Sequence, residues 1–259
     1  MRLLFIGDVV GRPGRRAVKV NVGELRRELD LDFVIANGEN AAGGKGITKE
    51  IAQELFSYGV DVLTMGNHVW HIKSSYDYID KESRIVRPAN YPPGVPGNGV
   101  YVFETRKKVN IAVINLAGRV FLQNIDCPFR KADELVSAIK EKAKVVVVDF
   151  HAEATSEKVA MGWYLAGRVS AVVGTHTHVQ TADECILPGG TAYITDLGMT
   201  GPVDSVIGVK KEIIISKFLS QIPQKFEVAA GAFQFNAAVI EIDENTGEAL
   251  YIKRIQNYE

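Results

Sequence analysis

Five segments of this chain each run through an apolar, partly β-branched stretch and end on side chains able to bind metal ions. They read FIGDVVG around Asp8, VIANGEN ending at Glu39 and Asn40, VLTMGNH ending at Asn67 and His68, VVVVDFH ending at His151, and AVVGTHTH ending at His176 and His178. Runs of this kind are the buried strands of an α/β sheet, whose sites lie at the strands' C-terminal ends. A chain built this way brings ligands that are far apart in sequence into one cleft.

The intervening segments supply the crossovers. Leu3–Gly7 reads as the first strand, followed by a helix from about Pro13 to Leu29 with the proline in its first turn. Phe33–Ala36 is the next strand. Thr48 is a predicted N-cap with Ile51, Ala52, Leu55 and Phe56 at helical spacing behind it, and Val60–Met65 is the third strand. This βαβαβ order implies parallel strands with right-handed crossovers. Strands are predicted again at Val100–Phe103 and Asn110–Leu116, a helix at Lys131–Lys142, and a fully apolar strand at Val145–Phe150. Past His178 the pattern turns β-rich, with strands expected at Thr191–Thr195, Glu212–Ile215, Ala237–Ile242 and Leu250–Ile255, and a hairpin turn at Glu244–Gly247. Residues 88–99, PANYPPGVPGNG, form a proline-rich loop that either borders the site or marks an inserted element. No repeat or linker divides the 259 residues, so a single layered domain spanning 1–259 is the expectation.

Composition narrows the function. A formal net charge of −1 leaves no global basic field, which argues against duplex nucleic-acid binding driven by phosphate neutralisation. Cys127 and Cys185 lack metal-type spacing and read as ordinary thiols rather than a disulfide framework or a thiolate site. The N-terminal MRLLFIGDVV is too short in its apolar run for a signal peptide, and no stretch approaches the ~20 apolar residues of a membrane span. A cytoplasmic protein is expected.

Taken singly, each motif has a bland reading. Asp8 fits a helix cap as well as a ligand. Glu39 and Asn40 fit a turn, although a carboxylate beside a deep strand is costly unless a cation pairs with it. Asn67 and His68 also fit a turn, and His151 alone fits a hydrogen-bonded core histidine. His176 and His178, at i and i+2, leave an extended segment on one side and reach two adjacent metals. The constellation changes the balance, because four of the five histidines stand at these strand ends. The fifth, His71, reads as a surface or packing residue. Two divalent ions carry +4 against −2 from Asp8 and Glu39, leaving a centre of about +2 that suits a phosphate ester. Metal-activated water is the expected nucleophile, Glu39 the chosen bridge, and His68, with histidine's ordinary pKa of about 6.5, the proton donor. Nitrogen and oxygen ligands fit iron, manganese or zinc.

These segments resemble the calcineurin-like metallophosphoesterases and, within them, the YmdB family of bacterial phosphodiesterases. The resemblance runs through FIGDVVGRPGR, IANGENAAGGKGIT, TMGNHVW, HAEATSEK, VVGTHTHVQTAD and ITDLGMTGP. It implies a four-layer α/β sandwich, two central mixed sheets flanked by helices, with a dinuclear centre. Asp8, Glu39, Asn40 and His178 would hold one ion, Glu39, Asn67, His151 and His176 the other, and His68 would donate the proton. The implied reaction is hydrolysis of small phosphodiesters, notably 2′,3′-cyclic nucleotides, with iron or manganese, by a protein that associates as a homo-oligomer. The wider superfamily begins with Asp-x-His, where this chain has Val10, and bridges with Asp, where this chain has Glu39. Asn40 fills the place of the missing imidazole.

Weaker candidates are the glycines of AAGGKG with Lys45, as phosphate-binding backbone or a flexible turn, Arg12 and Thr155 near substrate, and Asp196, as support for a ligand histidine or a helix cap. Two other functions remain open at this stage. A phosphomonoesterase or phosphoprotein phosphatase would use the same centre, and a regulatory protein would bind metal with incidental turnover.

Overall fold

Side chains alternate in direction along the central strands, which are buried on both faces. In chain order the elements are β1 (Arg2–Ile6), β2 (Asp8–Val9), α1 (Gly11–Glu28), β3 (Phe33–Asn37), α2 (Lys49–Ser57), β4 (Val62–Thr64), α3 (Tyr76–Lys81), β5 (Ile85–Val86), β6 (Val100–Glu104), β7 (Asn110–Ala117) and α4 (Pro128–Ile139). They continue with β8 (Val145–His151), α5 (Thr155–Leu165), β9 (Ala171–Thr175), β10 (Cys185–Leu187), β11 (Thr191–Ile194), β12 (Met199–Pro202), α6 (Lys211–Ser220), β13 (Phe233–Ile242) and β14 (Ala249–Tyr258). The computed structural model describes residues 1–259.

Two mixed sheets result. The first runs β2-β12-β13-β1-β3-β4-β5, with β14 also paired to β13, and the second runs β10-β11-β9-β8-β7-β6. β1, β3, β4 and β5 are parallel, and β13 lies antiparallel to β1. In the second sheet β7, β8, β9 and β11 are parallel, and β6 and β10 are antiparallel edges. Parallel strands demand cover on both faces, and both sheets have it.

The period of two along each strand builds three apolar layers. Leu3 and Phe5 of β1 pack between the sheets with Val145 and Val147 of β8 and Ile240 of β13. Leu4 and Ile6 pack outward with Val18 and Val22 of α1 and Leu55 of α2. Val146, Val148 and Phe150 pack on the opposite outer face with Met161 and Leu165 of α5. The order is helix, sheet, sheet, helix, the expected four-layer sandwich. Thr48 caps α2 as expected, its Oγ1 accepting from the Ile51 N–H at 3.3 Å. No helix is long and apolar enough to cross a membrane.

Three sequence expectations are corrected. The strand expected to be fully apolar, Val145–Phe150, contains Asp149, which is completely buried. The strand expected at Glu212–Ile215 is the first half of α6. Its isoleucines carry β propensity, yet only Ile214 is buried, and Glu212 sits in the first helical turn where an acid is favoured. Helix α4 starts earlier than Lys131, with Pro128 in its first turn. The 88–99 loop is anchored from below: Asn90 Nδ2 donates to the Ala117 and Asp126 carbonyls, and its Oδ1 accepts from the Ala117 N–H. Its Tyr91 ring meets Trp70 edge-on at 4.5 Å, two residues beyond His68.

Burial predicts where the fold is least tolerant. Phe5→Ala, inside the layer between the sheets, should lower unfolding free energy by about 3–5 kcal/mol in urea denaturation. Val102→Ala on the partly exposed strand β6 should change it by less than about 0.5 kcal/mol.

Candidate metal centre

The eight residues expected as metal ligands or proton donor converge on one cleft, because five strand ends open on it. Asp8 begins β2, Glu39 and Asn40 follow β3, Asn67 and His68 follow β4, His151 ends β8, and His176 and His178 follow β9. On β8 the period of two puts His151 on the inter-sheet face with Val145, Val147 and Asp149. Glu39 Oε1 stands 3.2 Å from His151 Nε2 and 3.4 Å from His68 Nδ1. His151 Nε2 is 3.1 Å from Asn67 Oδ1 and 3.0 Å from His176 Nδ1. Asp8 Oδ1 lies 3.8 Å from His178 Nε2, and Asp8 Oδ2 accepts from the His176 N–H at 3.0 Å. Asn40 joins the two halves: its Nδ2 faces Glu39 Oε1 at 3.1 Å and His178 Nε2 at 3.2 Å, while its Oδ1 faces His68 Nδ1 at 3.0 Å. A cavity of about 380 Å³ opens above these groups, walled also by Lys45, Ile207 and Phe226. Neither Arg12 nor Thr155 lines it. His71 is exposed, with its ring edge-on to His68 at 5.7 Å.

Hydrogen bonds aim the histidines. His151 Nδ1 lies 2.9 Å from Thr175 Oγ1, and the Thr175 hydroxyl donates to Asp149 Oδ1 at 2.7 Å. That hydroxyl has one proton, so it accepts from His151 Nδ1–H and leaves Nε2 turned inward. Asn37 Nδ2 completes the support by donating to Asp149 Oδ2 at 3.1 Å. His178 Nδ1 donates to the Ile207 carbonyl at 2.9 Å, which frees its Nε2. His176 Nε2 faces Glu153 Oε2 at 3.0 Å, which directs Nδ1 at His151. None of Thr175, Asn37 and Asp149 was identified from sequence. The available signal was Asp149 itself, two residues before His151 and therefore on its face.

Electrostatics across the cluster are tightly balanced. Burial pushes the Asp8 carboxyl above its ordinary value, although His178 and His151 pull it down. Burial also opposes charge on Glu39, but His151 and His68 outweigh it and hold that carboxyl well below the usual range. His151 is disfavoured as a cation by burial, yet Glu39, Asp8 and Asp149 push it up to about 9. Burial and the neighbouring His151 drive His176 down to about 3. Asp149 is pushed up to about 6 by burial.

The donor set fits a bound cation. Asp8 Oδ1 is buried and has no hydrogen-bond partner. The ligand atoms of Glu39, His151 and His176 all lie within 4.8 Å of one another. Two ring nitrogens facing at 3.0 Å need a proton or a cation between them. Gly66 keeps the space open: a Cβ there would stand 2.2 Å from Glu39 Oε2 and 2.3 Å from His151 Nε2.

The backbone beneath the histidines is strained. His176 and His178 adopt φ of 101° and 68°, and Ile207, whose carbonyl holds His178, adopts 45°. Positive φ at a β-branched residue persists only where surroundings over-determine it. Asp196 supplies part of that constraint. Its Oδ2 accepts from the Thr177 N–H at 3.1 Å and the Thr177 hydroxyl at 2.7 Å, and it is ion-paired with the fully buried Lys158 of α5. Asp196 thus braces Thr177, between the two histidines, rather than touching either of them.

Removing Lys158 strands a buried carboxylate. Lys158→Met should therefore cost about 3–5 kcal/mol in denaturant unfolding, and adding Asp196→Asn should recover part of that loss.

Comparison with known proteins agrees with this architecture. A sequence profile described as YmdB-like protein matches residues 4–255. A Bacillus subtilis (strain 168) protein named 2′,3′-cyclic-nucleotide 2′-phosphodiesterase is 53% identical over 255 residues, covering 98% of this chain and 96% of that protein. The crystal structure of a hypothetical protein from Thermus thermophilus superposes with a TM-score of 0.94 at 44% identity, covering all of both chains. That of a novel phosphatase from Mycoplasma pneumoniae gives 0.94 at 37% identity, covering all of this chain and 93% of the other. The chain belongs to the YmdB-like protein family.

Proposed function

We propose that the protein is a cytoplasmic phosphodiesterase with two metal ions, acting on small phosphodiesters and foremost on 2′,3′-cyclic nucleotides. The observation that carries this reading is the convergence of Glu39, Asn67, His151 and His176 on one side and Asp8, Asn40 and His178 on the other, with Glu39 Oε1 facing both His151 and Asn40. The name of the Bacillus subtilis relative supports the substrate class.

The roles of the chain's own groups follow. Glu39, Asn67, His151 and His176 would hold one ion, and Asp8, Asn40 and His178, with Glu39 shared between the two sets, would hold the other. Asn40 contributes its oxygen from the reverse amide rotamer, and His68 acts as the imidazolium, which returns to the neutral ring when it gives up a proton. When bound, the ions lower the pKa of coordinated water and offset charge on the phosphoryl oxygens. His68, beside Asn40 and partly exposed, donates its proton to the leaving ribose oxygen. Iron is the favoured metal, with manganese or zinc as substitutes. The whole chain acts as one domain. Ile215, Phe218 and Leu219, exposed on α6 at i, i+3 and i+4, support association of copies.

Two measurements test this. His68→Ala should keep its metal content but lose at least ~100-fold in kcat on 2′,3′-cAMP, with p-nitrophenyl phosphate hydrolysed poorly by the wild type. Turnover of the monoester alone would move the protein to the phosphatase reading. Metal binding should also displace the proton that His151 carries below about 9. Mn²⁺ titrated into metal-free protein at neutral pH should then release about one proton, read calorimetrically in buffers of different ionisation enthalpy. Because that group is protonated below about 9, apparent affinity should rise with pH toward that value. Buffer-independent heats would count against His151 as a ligand.

A further inference from the structure

A second cavity of about 640 Å³ adjoins the metal cleft and shares two walls with it, Lys45 and Phe226. Its other lining groups include Lys217, Lys225 and His71, and none is a carboxylate. The three lysines make no ion pair, whereas the nearby Lys210 and Lys211 are neutralised by Glu227 and Asp204. In a chain of net charge −1, three lysines without an ion pair on one cavity are a local exception, although Glu227 is within electrostatic reach of Lys225. Phe226 is 42% exposed between the two cavities, with Lys217 Nζ 4.7 Å from its ring centroid. His71, in the second cavity, touches His68 in the first. The two spaces thus lie side by side, with Lys45 and Phe226 lining both.

We infer that this basic cavity binds a second phosphate of the substrate, carried on the 5′ side of the nucleotide whose cyclic phosphate occupies the metal cleft. The inference rests on the phosphodiesterase reading above. Lysine ammonium groups serve as point charges for phosphate. An exposed aromatic ring between two phosphate sites suits a base or ribose, and stacking of a base on such a ring is tolerant of its identity. The same chemistry has two sources. One is a mononucleotide bearing a 5′-phosphate, and the other is a short oligoribonucleotide that ends in a 2′,3′-cyclic phosphate.

The test compares kcat/KM of the full-length Mn²⁺-loaded protein on three substrates. These are adenosine 2′,3′-cyclic phosphate, its 5′-phosphorylated form, and the dinucleotide ApA ending in a 2′,3′-cyclic phosphate. At low salt, one or both doubly phosphorylated substrates should be preferred by about tenfold or more. The preference should shrink as salt rises from about 0.05 M to 0.2 M. In Lys217→Ala/Lys225→Ala the ratio should fall toward one. A preference confined to the 5′-phosphorylated mononucleotide assigns the cavity to a terminal phosphate, and one that includes the dinucleotide assigns it to an RNA backbone. Equal kcat/KM on all three substrates, or a ratio unchanged in the double variant, overturns the subsite while leaving the phosphodiesterase reading standing. No turnover of any of them overturns that reading, and the subsite with it.

Discussion

Three carboxylates, Asp8, Glu39 and Asp149, are buried where the two sheets open into the cleft, and no lysine or arginine pairs with any of them. Unpaired charges in such a place would cost more than a domain's net stability. The nearest buried lysine, Lys158, is already committed to Asp196. Only imidazoles and a cation remain to balance the cluster. The raised pKa of His151 is that balance struck with a proton, and a metal ion strikes it with more charge in the same space.

This demand explains why the strand ends look as they do. Parallel β-strands deliver the ligands to one edge, but the GTHTH segment must also turn both imidazoles into the cleft, which forces His176 and His178 to positive φ. Strain of that kind is held by rigid support from behind. Lys158 and Asp196 provide it through Thr177, and the Ile207 carbonyl provides it for His178. The relay from His151 through Thr175 to Asp149 fixes the remaining imidazole. The geometry of the proposed ligands therefore depends on the second sheet and helix α5, not on the histidines alone.

The sequence was most legible where one period dominated. Continuous apolar runs in β1 and β8 and helical spacing in α2 specified both the layers and the edge on which the proposed ligands meet. Legibility failed where tertiary context overrode local preference. Ile213–Ile215 look like a strand, but α6 lies at the surface with one of the three isoleucines buried. Asp149 was masked by the valines around it, and Lys158, a residue type that is usually exposed, gave no sign that it was buried against Asp196. Supporting residues are harder to read than ligands because their partners are distant in sequence, and nothing in their own neighbourhood announces the contact.

In the proposed centre Glu39 bridges two cations held by seven side chains. Anomalous diffraction from crystals grown with Mn²⁺ tests it most directly. Two peaks should appear, one beside Asp8, Asn40 and His178 and the other beside Asn67, His151 and His176, with the Glu39 carboxylate between them and a separation of about 3.5–4 Å. A single peak, or two peaks that do not share Glu39, would contradict the account.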